Sequence, residues 1–94
     1  MDTVFDPAKD AANREKHGLS LADFVGFDDL PITRVDDRYD YGETRYRSLG
    51  LIDGLPHVVV FTLVDGAMRL ISFRRAHAKE GRQYERRNQP PDRL

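Results

Sequence analysis

The run His57-Val-Val-Val-Phe-Thr-Leu-Val64 constrains this chain more than any other stretch. It is so continuously apolar that it cannot alternate between core and water, and it predicts a central strand covered on much of both faces. Asp65-Gly66 follows directly, and such a pair signals a two-residue type I′ turn, which needs positive φ at both central positions. Met68 to Phe73 is then a strand paired antiparallel to the first. Within it Arg69, Ile71 and Phe73 share one parity, and Leu70, Ser72 and Arg74 the other. A regular strand therefore puts Arg69 and Arg74 on opposite faces, whereas a bulge, or a strand end near Phe73, lets them converge. Upstream, Ile52-Asp-Gly-Leu-Pro56 is a turn. It leads back to Tyr46–Ile52, where Arg45 and Arg47 share a parity with Leu49 and Leu51.

Two helices are expected before the sheet. Asp6 is a good N-cap and Pro7 suits the first helical position, where its missing N–H costs nothing. Ala8, Ala11 and Ala12 form a narrow apolar stripe, and Gly18 stands where a left-handed cap ends the helix. Lys16 and His17 thus fall in the last turn, where cations complement the helix dipole. Ser20 caps the second helix, with Leu21, Phe24 and Val25 at core spacing and Phe27 packing beyond it. Ile32 to Val35 is a short strand, and Asp36 to Gly42 is an acidic loop. Ala76 to Asn88 is helix-prone but polar, so it is loosely docked or completed by a partner, with Ala76, Ala78 and Tyr84 as its buried candidates. Pro90-Pro91 ends it, and the tail is expected to be flexible. The reading is a single α+β domain over residues 1–94, ordered from about 3 to 88, with two N-terminal helices, a three- to four-stranded antiparallel sheet and a C-terminal helix.

Ninety-four residues bury only about two-thirds of their unfolded surface, so a large enclosed cavity is not expected. Cysteine is absent, which removes disulfides and thiolate metal sites. No stretch approaches the ~20 apolar residues of a membrane span, and a cytoplasmic protein is expected. The net charge of −1 hides an asymmetry: residues 1–68 carry 7 Lys/Arg against 13 Asp/Glu, and residues 69–94 carry 8 against 3. A basic surface built from the C-terminal third suits a polyanion or an acidic partner, although a solvated arginine-rich helix face has the same composition.

Several phrases, in this order and spacing, resemble the BrnT toxin family. They are Phe5-Asp-Pro-Ala-Lys9 with Asn13, Lys16-His-Gly18, Phe27-Asp-Asp29, Gly42-Glu-Thr-Arg45, Gly50-Leu51, Arg69-Leu-Ile-Ser-Phe-Arg-Arg-Ala76 with Glu80, and Tyr84-Glu85. The resemblance implies a RelE-like α+β fold and a ribonuclease toxin of a type II toxin–antitoxin pair. It also implies a BrnA-type ribbon-helix-helix antitoxin that neutralises the toxin and carries it to operator DNA. Two departures stand out: Phe5 abuts Asp6 directly, and Phe73 occupies the usually small position of the Ser-x-Arg phrase, setting a bulky ring between Ser72 and Arg74 in sequence.

RNA can be cut without a metal if its 2′-hydroxyl attacks the adjacent phosphorus; the site must then move protons and stabilise charge on the phosphoryl oxygens. Arginine suits the charge, because its planar fork bonds two phosphate oxygens and stays protonated. Arg45, Arg69 and Arg74 are the catalytic candidates, with His17 and Glu43 for proton transfer; Lys16 and Arg75 are substrate-binding candidates. Each has a plainer reading: helix-end charge for Lys16 and His17, cross-strand pairing for Arg45 and Arg69, a salt bridge for Glu43. Glu80 has the option of pairing with a nearby arginine. Asp36, Asp37 and Asp40 lack a histidine companion and ordered metal-site spacing, so no metal or cofactor is expected. The competing hypothesis is a non-catalytic basic module that binds nucleic acid or a protein.

Overall fold

The computed structural model describes residues 2–87. Five strands form one sheet in the order β1-β5-β4-β3-β2. They are β1 (Thr3–Val4), β2 (Ile32–Asp36), β3 (Arg45–Ile52), β4 (Leu55–Val64) and β5 (Ala67–Arg75). The apolar run lies in the central strand β4, as its composition requires, and Val58 to Thr62 are buried. Both hairpins carry the expected turn: Asp53 and Gly54 have φ of 51° and 76°, and Asp65 and Gly66 have 52° and 81°.

The expected antiparallel sheet is mixed instead, because β1 pairs parallel with β5 through Thr3–Met68 and Val4–Arg69. A two-residue edge strand has too little pattern to be seen in sequence. The N-terminal helix α1 (Pro7–His17) has both its caps: Asp6 accepts the Ala8 N–H, and Gly18 is left-handed at φ 74°. Its alanine stripe is exposed, however, and its buried residue is Asn13. The Asn13 amide donates to Phe73 O and Leu19 O, each at 2.8 Å, and its oxygen accepts the Phe73 N–H at 2.9 Å. Where β1 stops, this side chain takes over as the neighbour of β5, satisfying edge groups that burial would otherwise leave unpaired. The helix is thus anchored by polar contacts.

The second expected helix is a single 3₁₀ turn, Leu21–Asp23. Ser20 caps it, but the Asp10 carboxylate draws the chain back onto α1 by accepting from Ser20 Oγ and the Leu21 N–H. Phe24 then returns to extended backbone, so Leu21 and Phe24 are buried while Val25 is 91 % exposed, not core. The core joins these two to Val59, Phe61, Leu70 and Phe73 on one sheet face, with Phe5, Leu19 and Phe27 packed against it. Asp28 accepts the N–H groups of Asp53 and Gly54, tying this segment to the β3–β4 turn. In these respects, one true N-terminal helix and a mixed sheet, the RelE-like arrangement expected from the resemblance does not hold in detail.

The C-terminal helix α2 (Ala78–Arg87) crosses the other sheet face at the β3–β4 end. It docks through buried Tyr84 and through Gly81, where an added Cβ would lie 3.3 Å from Pro56. Of the three expected buried residues, Ala76 is half-buried and Ala78 exposed. The expected flexible tail lies outside the described residues.

Candidate active site

Cross-strand register decides what the second face carries, since paired residues project to the same side. Opposite Val60, β5 presents Ser72, but opposite Phe61 it presents Leu70, so Ile71 is an extra residue in a β-bulge. The bulge reverses parity along β5. Arg69, paired with Thr62, and Arg74, paired with Val58, consequently share the face opposite the core. Phe73 pairs with Val59 in the core and is 3 % exposed, so its ring points away from the surface that Ser72 and Arg74 occupy.

The register builds three rows on this face. Ile32, Leu49, Val58 and Arg74 form the first; Arg34, Arg47, Val60 and Ser72 the second; Asp36 and Arg45 of the third stand on the side of Thr62 and Arg69. Among the described strand residues, five arginines stand on it. Arg69 and Arg74 are about 13 Å apart along the sheet, four residues of β4 at ~3.3 Å each. Short Ser72 and Val60 lie between them in the register, so side-chain length alone makes a shallow depression there.

Two ion-paired clusters hold the ends. At one, Glu43 accepts from Arg69 Nη2 at 2.6 Å and from Arg45 Nε at 3.2 Å, and Arg45 lies over the Tyr41 ring at 4.0 Å. At the other, Arg74 gives both terminal nitrogens to Glu80, at 2.8 and 2.9 Å. Glu80 also accepts the His77 N–H at 2.8 Å, half of a capping box at the start of α2. The Arg74 hydrogen bonds hold the Glu80 carboxyl down at about 2, against some opposition from burial. His17, at the end of α1, lies within electrostatic reach of Arg74 and His77 at this second cluster. Partial burial lowers its pKa below 6.5, and the charges of Lys16, Arg74 and His77 lower it further, all of which favours the neutral imidazole.

The sequence candidates thus divide. Arg45, Arg69 and Glu43 meet at one end of the face, His17 and Arg74 at the other. Lys16 is exposed beside His17, and Arg75, paired with His57, has the opposite parity to Arg74 and lies on the core side. Arg47, at the centre of the face, was not among the candidates although its alternation with Arg45 signals it; Arg34 has a similar place in β2. His57 is structural: it is buried, with Nδ1 2.7 Å from Leu55 O.

The acidic loop is occupied by its own contacts. Arg38 grips both Asp36 oxygens at 2.8 Å, which lowers that carboxyl to about 2, and Asp40 accepts the Gly42 N–H. A groove of about 640 Å³ on the core side is lined by Phe24, Phe27, Tyr46 and Phe61 and by no charged side chain. Chemistry rather than size therefore places the candidate site on the arginine face. No described helix is long and apolar enough to cross a membrane.

Fold and face together define a small α+β protein with a guanidinium-rich sheet surface suited to a phosphodiester polyanion. A family model described as "Ribonuclease toxin, BrnT, of type II toxin-antitoxin system" matches residues 5–80, and the chain belongs to that family. No curated protein matches it. Membership of a type II family implies a protein antitoxin as partner.

Proposed function

We propose that this protein is a metal-independent endoribonuclease that arrests growth by cutting RNA within the cytoplasm and is neutralised by a BrnA-type ribbon-helix-helix antitoxin, through which it is held at operator DNA. The observation that carries the catalytic reading is the Ile71 bulge, which sets Arg69 and Arg74 on one face around Ser72. A phosphate seated midway draws both arginine side chains inward from backbones about 13 Å apart, exchanging their carboxylate partners, Glu43 and Glu80, for its own oxygens, which offer guanidinium the same bidentate geometry. The 2′-oxygen then bonds to phosphorus and the bond to the 5′-oxygen breaks, leaving a 2′,3′-cyclic phosphate. His17, whose neutral form its surroundings favour, accepts the 2′-hydroxyl proton. Solvent reaching this open face protonates the leaving oxygen. Arg45, Arg69 and Arg74 offset the charge that develops on the phosphoryl oxygens. Glu43 is a positioning residue, holding Arg45 and Arg69 side by side until phosphate arrives. Lys16, one residue from His17, adds positive charge at the substrate's edge. The core-side placement of Arg75 leaves it out of this step.

Arg69→Ala tests this directly. Its side chain is 44 % exposed, so the fold loses no more than ~1 kcal/mol, whereas RNA cleavage and growth inhibition are abolished. Undiminished cutting by the folded variant refutes the role. Binding of RNA by the unsubstituted protein without any cutting selects the non-catalytic module instead.

A further inference from the structure

Beside the depression, α2 and the β2–β3 end of the sheet enclose an open groove of about 430 Å³. Its floor is apolar, with Ile32 and Leu49 partly exposed above the buried Val58, and its rim carries Arg34, Arg47, Arg86 and Arg87. None of these four arginines makes a salt bridge among the described residues. Among the described residues the groove's one carboxylate, Glu80, is already committed to Arg74. This distinguishes the groove from the catalytic depression, where Arg45, Arg69 and Arg74 are all paired. Arg47 feels the Asp36 carboxylate, but Arg34, Arg86 and Arg87 have no salt-bridge partner among the described residues, and guanidinium groups gathered around a hydrocarbon floor repel one another unless an anion joins them. The combination of apolar surface and surrounding positive charge suits an unpaired nucleobase, stacked on an arginine plane or lying on the aliphatic floor, with its flanking phosphates. The register also makes the two places continuous: Arg74 and Val58 are cross-strand partners, as are Arg47 and Val60, so a strand leaving the depression passes directly onto the groove floor.

We propose that this groove is a subsite for a nucleotide of single-stranded RNA next to the cut, one base lying on the partly exposed Ile32 and Leu49 and its phosphates held by Arg34, Arg47 and Arg86. The proposal rests on the RNA-cleaving reading above and assigns that reading a second contact. Arg47 stands between the two places and serves both. A duplex cannot present a free base face to this floor, so the subsite selects unpaired RNA.

The test compares the unsubstituted full chain with the double variant Arg34→Ala/Arg86→Ala on two substrates, an unstructured RNA octamer and a dinucleotide that spans only the cut bond. The kcat/KM ratio of octamer to dinucleotide is expected to fall on the order of tenfold in the variant, the size of one stacking or phosphate contact. Octamer binding, measured in salt titrations with the 2′-hydroxyls replaced by hydrogen, is expected to lose about 0.7 of slope per lost phosphate contact. An unchanged ratio and slope overturns the subsite while cleavage by both proteins leaves the catalytic reading intact. A loss equal on both substrates also overturns it, since Arg34 and Arg86 then act on the centre or on the fold. Failure of the unsubstituted protein to cut either RNA overturns the catalytic reading and the subsite with it.

Discussion

Replacing Glu80 by glutamine keeps the shape of the side chain and removes its charge, which isolates what the carboxylate does for Arg74 and for the start of α2. Depression of the carboxyl from 4.5 to about 2 corresponds to about 3–4 kcal/mol at ~1.4 kcal/mol per unit. That is an upper bound, because both side chains keep 18 % exposure to screening water, and glutamine retains a hydrogen-bond acceptor for the His77 N–H. The expected loss at pH 7 is ~2 kcal/mol, which for a domain of this size lowers Tm by roughly 8–16 °C. The pH dependence fixes the cause. A depressed folded-state pKa means that the stabilisation is complete above 4.5 and is lost as pH falls toward about 2. Chemical denaturation of both proteins between pH 7 and pH 3 therefore shows a constant gap down to about pH 5, then a gap that shrinks by up to ~1.4 kcal/mol per pH unit. A gap that stays the same down to pH 3, or one below ~0.5 kcal/mol at pH 7, refutes the reasoning.

Two further outcomes follow from neighbouring features. Since burial and then surrounding cations hold His17 below 6.5, the acidic limb of the kcat/KM profile should lie below pH 6.5, and His17→Asn should remove it along with most of the rate; an identical limb in the variant assigns it to another group. Gly50→Ala places a Cβ 2.6 Å from the Phe27 ring, so ~1–3 kcal/mol of stability is lost by overpacking, while the folded fraction cuts RNA at the original rate; an unchanged melting curve shows that Phe27 moves aside freely.

What could be read in advance was what local chemistry dictates. The Asp6-Pro7 start, the Gly18 cap, both Asp-Gly turns and the placement of β4 each follow from a residue or two acting on their own backbone. The failures occur where a distant partner decides. Asn13 looks like an ordinary helix-surface residue until its amide is seen replacing a strand along β5, and the helix expected after Ser20 is shortened to one turn by an aspartate ten residues earlier. The candidate site was legible by residue type but not by grouping. A one-residue bulge at Ile71 has no sequence signal here, yet it alone decides whether Arg69 and Arg74 share a face. Arg47 was legible from the two-residue spacing that linked it to Arg45, and Glu80 from its place three residues after the α2 cap.

The central claim is that arginines and the substrate's own 2′-hydroxyl carry out the cleavage. It is tested most directly by giving the purified protein, in excess of a strong chelator, two copies of one RNA that differ only in the 2′-hydroxyl at the cut bond, and analysing the ends by mass spectrometry. The account predicts that the natural RNA is cut to a 2′,3′-cyclic or 3′-phosphate end and that the 2′-deoxy copy stays whole at that bond. Cutting of the deoxy copy at the same bond, or no cutting of either until a divalent metal is restored, contradicts it.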